Sequence, residues 1–351
     1  MGKFSMGLKK LEAWFDRQKR ILPWRNLPSL YRVWVSEIML QQTQVQTVIP
    51  YFEKFLARFP SVKNLAEASE EEVIFYWQGL GYYSRARNLH KGAKLIVQNG
   101  FPKNREGWLE IPGVGDYTAG AILSIAEDQP EPILDGNVER VVSRLRLVGR
   151  QQGDKAFKLR LWKIARILVT TAYARKIRPS VLNQALMELG ATICTPKNPR
   201  CNLCPLSDLC RANARGCQEE FPPRKKPKKW LSINEKLHCV IRERGSKREV
   251  LMRLRNKGEW RSGLWDFLEN SPEDLDPLYL GEVETRHVVT QHKITRQTSI
   301  WKIKSTAEMK WQAAEPSLQA ATLRWVSFDD PEVALGSAAR KTLKETAKLV
   351  L

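Results

Sequence analysis

Up to about residue 220, apolar residues recur along the chain at spacings of three, four and seven. Leu8, Leu11 and Phe15 form one series, and Tyr31, Trp34, Ile38, Val45, Val48 and Phe52 form another. Such spacings stack one apolar stripe along a helix. Pro23, Pro50, Pro60, Pro102, Pro112, Pro130 and Pro179 are expected to break the pattern into helices of ordinary length. The pattern then stops. Phe221-Pro222-Pro223 leads into Arg224-Lys225-Lys226-Pro227-Lys228-Lys229, a stretch too charged and Pro-rich to pack, and therefore a linker. Past Trp230 the texture changes to strands. Leu237-His238-Cys239-Val240-Ile241-Arg242 and Val250-Leu251-Met252-Arg253-Leu254 flank Gly245-Ser246, which predicts a hairpin with a loop somewhat longer than two residues. Thr298-Ser299-Ile300-Trp301-Lys302-Ile303 and Leu323-Arg324-Trp325-Val326 predict two more strands, and Ala338 to Val350 a closing helix. The expected organisation is an all-α domain over 1–221, a basic linker over 222–232, and a smaller α+β domain over 233–351.

The 351 residues suffice for two separate cores, and a hydrophobic fraction of 42% is that of an ordinary globular protein. The charge balance changes the picture. Lys and Arg number 58 against 38 Asp and Glu, a net charge of +20. A polyanionic partner is the simplest explanation, since each cation set against a phosphate releases a condensed counterion. A basic but uninvolved surface is the alternative. No window approaches the ~18 uninterrupted apolar residues of a membrane span, and no signal-peptide core follows Met1. No membrane association is expected, and a monomeric protein in the cytoplasm, associated with the nucleoid, fits these features. Disulfides are rare in that compartment, so the six cysteines need another account.

Four of them supply one. Cys194, Cys201, Cys204 and Cys210 follow the spacing C-x6-C-x2-C-x5-C, and thiolates this close under reducing conditions read as metal ligands. A zinc site commonly uses two separated C-x2-C pairs. One such pair with an outlying cysteine on each side suits an iron–sulfur cubane better. Upstream, Leu109-Glu110-Ile111-Pro112-Gly113-Val114-Gly115-Asp116-Tyr117 reads as a helix end, a tight turn and a new helix start. Gly113 and Gly115 are both expected to permit positive φ there. Backbone N–H groups at the head of the second helix would favour a phosphate without reading bases.

Together these features resemble the helix-hairpin-helix base-excision DNA glycosylases with an iron–sulfur cluster, and among them the adenine-excising, MutY-like branch. The resemblance rests on Leu22-Pro23-Trp24-Arg25, on Trp34-Val35-Ser36-Glu37-Ile38-Met39-Leu40-Gln41-Gln42-Thr43, and on Gly79-Leu80-Gly81-Tyr82-Tyr83-Ser84-Arg85-Ala86-Arg87-Asn88-Leu89. It extends through Ile133-Leu134-Asp135-Gly136-Asn137-Val138, Asn183-Gln184-Ala185-Leu186-Met187-Glu188-Leu189-Gly190 and the four cysteines, covering nearly all of 8–217. It implies a 4Fe–4S cluster and, as partner, double-stranded DNA carrying a mismatch or an oxidised guanine.

Cleaving an N-glycosidic bond puts positive charge on the sugar and negative charge on the base, so the site needs an acid and an anion. Glu37 is the candidate acid. On a helix it shares a face with Val33, Trp34, Leu40 and Gln41, where desolvation raises a carboxyl pKa. An exposed helical glutamate is the alternative. Asp135, just before a helix beginning near Val138, reads from pattern alone as an N-cap. The resemblance makes it the anion that stabilises the oxocarbenium-like sugar, with Asn137 capping or orienting water. Tyr117 occupies the position where strand-cleaving relatives carry a Schiff-base lysine, which implies a monofunctional enzyme. The resemblance also implies that Gln42 and Tyr82 wedge into the duplex, and that Leu22, Trp24, Arg25 and Gln184 wall the adenine pocket. Core packing is the alternative for Leu22 and Trp24.

Gly258-Glu259-Trp260-Arg261-Ser262-Gly263-Leu264-Trp265-Asp266-Phe267 is similar to part of a Nudix-like lesion-recognition domain, without the Nudix catalytic box. The related lesion-reading loop has the form His-x-Phe-Ser-His, and here the stretch is His287-Val288-Val289-Thr290-Gln291-His292. Thr290 and Gln291 keep hydrogen-bonding groups, whereas Val289 replaces the aromatic wedge, which weakens the expected discrimination for 8-oxoguanine over guanine. Two other functions fit the sequence: a mismatch thymine or pyrimidine glycosylase of the same superfamily, and a non-catalytic lesion-binding protein. The second domain weighs against the former, and the presence of both Glu37 and Asp135 weighs against the latter.

Overall fold

The computed structural model describes residues 3–149, 154–223, 230–256, 258–272, 276–289, 291–304 and 323–350. Thr290 and the basic run at 224–229 lie outside them. The chain forms two compact units, Met1–Glu67 with Asn88–Lys226, and Ala68–Arg87 with Pro227–Leu351. The second unit thus takes in a segment from within the expected helical domain. Its β1 also begins at Leu231, inside the expected linker.

In chain order the helices up to residue 214 are α1 Lys3–Gln18, α2 Leu30–Leu40, α3 Val45–Arg58, α4 Val62–Glu67, α5 Glu70–Trp77, α6 Ser84–Asn99, α7 Arg105–Leu109, α8 Asp116–Glu127, α9 Gly136–Arg146, α10 Lys155–Ala174, α11 Pro179–Thr192 and α12 Arg211–Ala214. The apolar series become the core: Leu8, Leu11, Phe15, Tyr31, Trp34, Ile38, Val48 and Phe52 are all buried. Trp34 and Trp108 meet edge to face at 5.9 Å, an arrangement that adds to their area burial. Local signals set several helix starts. Ser29 caps α2 by accepting from the Arg32 N–H, and Asn104 caps α7. Pro179 opens α11, where its missing N–H costs nothing. Pro50 is the exception, since it lies inside α3 instead of breaking it. Burial of Val48, Phe52 and Phe55 on the same helix outweighs the lost hydrogen bond.

Between α7 and α8 the chain turns through Gly113, at φ +80, where a Cβ would sit 3.0 Å from the Asn88 Cβ. Gly115 departs from expectation. Its φ is −111, an extended N-cap conformation, so α8 does not need positive φ at this position. A Cβ there would meet nothing within 4 Å, so the head of α8 is open.

The second unit is built on a mixed sheet: β1 Leu231–Arg244, β2 Lys247–Leu254, β3 Trp265–Asp266, β4 Leu278–Val289, β5 His292–Lys302 and β6 Leu323–Ser327, followed by helix α13, Ser337–Val350. The strand order is β3-β2-β1-β5-β4, with β6 also on β2. β1 runs parallel to β5, and the other pairs are antiparallel. The β1–β2 connection is tighter than the sequence suggests. Arg244 pairs with Lys247 across a two-residue turn that Gly245 allows at φ +63. Along β5, Ile294, Arg296, Thr298 and Ile300 are buried, the period of two that puts one face against the core.

Arg296 is buried completely. Its guanidinium forms two 2.9 Å bonds to Asp266 and one of 3.0 Å to Glu235. Burial pushes the Asp266 carboxyl up, but Arg296, Arg261 and Arg255 outweigh it and hold the group below the usual carboxylate range. Removing one partner of such a pair leaves the other charge stranded. Asp266→Asn should therefore destabilise the second unit by ~3–5 kcal/mol in denaturant unfolding, and a loss below ~1 kcal/mol would show that the pair contributes little to the fold.

Candidate active site

Five segments of the first unit converge on one cavity of about 790 Å³. α2 supplies Glu37, α8 supplies Tyr117, the start of α9 supplies Asp135 and Asn137, and the turn at 22–25 with α11 supplies Leu22, Trp24, Arg25 and Gln184. Gln42 lines the cavity as well.

Glu37 faces inward from α2 and is only 5% exposed. Its Oε2 accepts a 2.7 Å hydrogen bond from the Tyr117 hydroxyl, and among the described residues nothing bonds Oε1. Burial pushes the carboxyl up to about 7; the Tyr117 bond opposes the shift, the nearby Asp135 charge adds to it, and Arg25 lowers it slightly. Tyr117 itself is held well above the ordinary phenol range by burial and by the charges of Glu37 and Asp135. It therefore stays protonated and donates.

Asp135 is both a cap and a cavity wall. Its Oδ1 accepts from the Val138 N–H at 2.7 Å, and its Oδ2 accepts from the Asn137 amide at 2.9 Å. Burial raises its pKa, and these hydrogen bonds together with Arg140 oppose the rise. Asn137 is fixed from the other side by Arg140, whose Nη2 donates to Asn137 Oδ1 at 3.0 Å. Gly190 admits this packing, because a Cβ there would fall 2.6 Å from the Asn137 Cβ.

Glu188 organises the opposite wall, and the sequence reading did not single it out. It is 1% exposed, and takes Arg20 Nε at 2.6 Å and Arg25 Nη2 at 2.8 Å. Burial alone would raise its pKa, but the two arginines lower it. Arg25 Nε donates to Gln184 Oε1 at 3.0 Å, while Gln184 Nε2 donates to the Ser180 carbonyl at 3.1 Å. The Gln184 amide is thus oriented at both ends. A glutamate flanked by Met187 and Leu189, four residues after Gln184 on one helix, was the available signal. Leu22 and Trp24 are buried, with Trp24 edge-on to Phe52 at 5.5 Å. Gln42 is exposed at φ 58, a left-handed conformation that a non-glycine residue seldom adopts.

Other expected residues lie elsewhere. Gly113 and Gly115 stand at the head of α8, outside the cavity lining. Tyr82 belongs to the second unit, as does Gln291, whose backbone carbonyl accepts from the Leu231 N–H at 2.9 Å in the turn between β4 and β5. Cys194, Cys201, Cys204 and Cys210 surround a separate small cavity together with Arg144 and Gln218. Arg144 Nη1 lies 3.4 Å from the Cys194 sulfur, and Gln218 Nε2 lies 3.6 Å from that of Cys201. Among the described residues no three such ligands converge as a lone ion would require. Four thiols spread around a cavity instead suit a multi-iron cluster, in which each iron takes its own thiolate. Burial and the neighbouring cysteines push the Cys204 thiol up to about 12, against a backbone N–H that lowers it, so the thiolates need a cationic partner. Cys217 and Cys239 stay outside this group, and Cys239 is buried in the sheet core.

Residues 35–166 match the HhH-GPD superfamily base excision DNA repair protein model, and residues 194–210 match the iron-sulfur binding domain of endonuclease III. An adenine DNA glycosylase of Schizosaccharomyces pombe is 30% identical, over 92% of this chain and 85% of that protein. The chain belongs to the adenine DNA glycosylase family. The mouse adenine DNA glycosylase is 48% identical over 58% of this chain and 41% of its own length, and that of Arabidopsis thaliana is 38% identical over 76% and 47%. The chain thus spans about two fifths of the mammalian relatives that it matches. The structure of a thermostable thymine-DNA glycosylase superposes with a TM-score of 0.52 at 25% identity, covering 61% of this chain and 97% of that one. No helix among the described residues is long and apolar enough to cross a membrane.

Two measurements test the site as built. Glu37 binds its proton more tightly in the folded than in the unfolded chain, so its contribution to stability is full below the ordinary carboxyl range and lost as pH rises through about 7. Glu37→Gln should accordingly stabilise the fold above pH 7, by on the order of 3 kcal/mol at most. The gain should vanish below the ordinary carboxyl range, at pH ~4, in matched denaturant titrations; equal stability at both pH values would contradict the buried-acid description. Cys204→Ser should lower the iron and acid-labile sulfide bound per chain, and full retention of both would remove Cys204 from the ligand set.

Proposed function

We propose that the chain is a monofunctional DNA glycosylase that hydrolyses the N-glycosidic bond of adenine opposite 8-oxoguanine or guanine in double-stranded DNA. The observation that carries this reading is the meeting of Glu37 and Asp135 in one cavity of a size suited to an extruded base. Glu37 is the acid. With Tyr117 bonded to Oε2, its Oε1 is left to deliver a proton to a purine ring nitrogen, a step worth ~10²–10⁴-fold in rate. As the C1′–N bond breaks, its electron pair leaves with the base. The Asp135 carboxylate, fixed by the Val138 N–H and Asn137, then faces the cationic sugar until water adds. Leu22 and Trp24 form the apolar wall for the base, and Gln184, held by Arg25, presents an amide edge.

Tyr117 supplies no amine, so strand cleavage through a Schiff base is not expected. Cys194, Cys201, Cys204 and Cys210 would hold the cluster, and with it the fold of the segment at 194–210. Gly113 makes the turn into α8, and Gly115 leaves the head of that helix open for a backbone phosphate. In the second unit Gln291 offers a donor and an acceptor to a base edge, and Val289 stands in place of an aromatic wedge. Selectivity for 8-oxoguanine over guanine should therefore be modest.

Single-turnover base release from duplexes with A opposite 8-oxoguanine, A opposite G and T opposite G, read with and without alkali, tests the proposal. Adenine should be released from the first two duplexes, and strands should break only after alkali. Release of thymine alone would reject the adenine assignment, and scission without alkali would reject the role of Tyr117. Glu37→Gln and Asp135→Asn should abolish release while leaving binding nearly unchanged. The wild-type rate should fall as pH rises through about 7, where Glu37 loses its proton, and fall again in acid as Asp135 gains one. A rate that did not fall on either side of these limits would be incompatible with this acid–anion pair.

A further inference from the structure

The segment Ala68–Arg87 packs as part of the second unit, although the residues on both sides of it belong to the first. We infer that the second unit clamps the turn at 79–82 through Gln78, Tyr83 and Arg87, and so positions Tyr82 for entry into a distorted DNA duplex. This rests on the DNA-binding reading above.

The grip is made of apolar packing and hydrogen bonds. Ile74 on α5 forms a buried cluster with Leu264 and Ala334, and Tyr83 packs against it. The Leu335 N–H donates to Gln78 Oε1 at 3.1 Å, and the Tyr83 hydroxyl donates to the Leu335 carbonyl at 3.3 Å. The same hydroxyl accepts from the Gly79 N–H at 3.4 Å, which ties the second unit directly to the start of the turn. At the other end Arg87 Nη2 donates to the Ser262 carbonyl at 2.8 Å. Gly263, at φ +73, leaves room for that guanidinium, since a Cβ there would lie 2.7 Å from Arg87 Nη1.

The clamped turn is one that needs holding. Gly79, Gly81 and Tyr82 all have positive φ, at 102, 70 and 48. A tyrosine in the left-handed region costs ~1–2 kcal/mol and persists only where its surroundings over-determine it. Arg85 and Trp77 brace it from within the segment. Arg85 Nη2 donates to the Leu80 and Gly81 carbonyls at 3.1 Å each, and its guanidinium lies 5.4 Å from the Tyr82 ring. Trp77 Nε1 donates to the Gly81 carbonyl at 3.2 Å. The product is an aromatic ring left 40% exposed beside a cation, on a backbone it would not choose unaided. Such a ring suits stacking on an unpaired base next to a phosphate. Gln78, Tyr83 and Arg87 act on DNA only through that ring, and are positioning residues.

A double-mutant cycle in the full chain tests the clamp. The quantity read is the ratio of Kd for a fully paired duplex to Kd for the same duplex with A opposite G. Tyr83→Phe combined with Arg87→Met should lower that ratio about tenfold, within the range of one aromatic–base contact. Tyr82→Ala should lower it equally, and all three changes together should lower it no further. Glu71→Ala, which breaks the exposed 3.2 Å pair with Arg324 in the same segment but does not touch the turn, should leave the ratio unchanged. Additive losses, an unchanged ratio in the Tyr83/Arg87 variant, or a loss in Glu71→Ala would overturn the clamp. A wild-type chain that binds both duplexes equally would sink the mismatch-binding reading, and the clamp with it. One that binds the mismatch better, with a ratio indifferent to Tyr83 and Arg87, would sink the clamp alone.

Discussion

Two carboxyl groups buried in the same cavity repel one another, and the first unit is organised around keeping both there. Glu37 sits on a helix whose other buried residues are mostly apolar, so water is removed and its proton is retained up to about pH 7. Asp135 is held differently: the head of α9 offers it a backbone N–H, and Asn137 a side-chain amide. One carboxyl is left short of donors and the other is supplied with them. Environments that push two like groups apart in this way divide acid from anion without any difference in residue type.

The residues around this pair are committed to one another. Glu188 absorbs the charge of Arg20 and Arg25, and Arg25 in turn fixes the amide of Gln184. Arg140 steadies Asn137 and also donates to the carbonyls of Gly190 and Cys194, so the start of α9 is tied to the beginning of the cysteine segment. Arg144 continues that link, bonding the Thr195 and Pro196 carbonyls. The iron–sulfur segment is thus bound to the same helix that presents Asp135. Its folding and the position of the aspartate are not independent.

The second unit shows the same use of paired charge for a different end. Arg296 and Asp266 are buried together in the sheet, and a buried ion pair of this kind is weak evidence for stability in itself. It does restrict how the strands can pair, since a shift of one residue in β5 would turn Arg296 away from Asp266 and expose Ile294 and Ile300. That register fixes where Gln291 falls, next to the Val289–His292 pair. The grip on the segment at 68–87, built on Leu264, Ala334 and Leu335, depends on the same core.

Much of this was legible in the chain itself. The three-and-four spacing marked the first unit as helical and picked out part of its core, and the cysteine spacing named the cluster ligands, because periodicity and covalent spacing are local properties. Glu37, Asp135 and Tyr117 could be picked out, and Asp135 was rightly suspected of capping a helix. Local rules failed where packing overrode them. Pro50 stayed helical because its neighbours are buried, and Gly115 did not need the conformation its glycine permits. β4 was missed because its polar sequence shows no clean alternation, and it is a strand only because β5 pairs with it. Glu188 carried no motif of its own, and its role comes from arginines more than 160 residues away along the chain. The sequence by itself determined which side chains were available and which elements would carry them. Tertiary structure alone decided which carboxyl lost its water, which arginines were spent, and which unit took hold of Tyr82, since desolvation and pairing depend on neighbours that folding brings together.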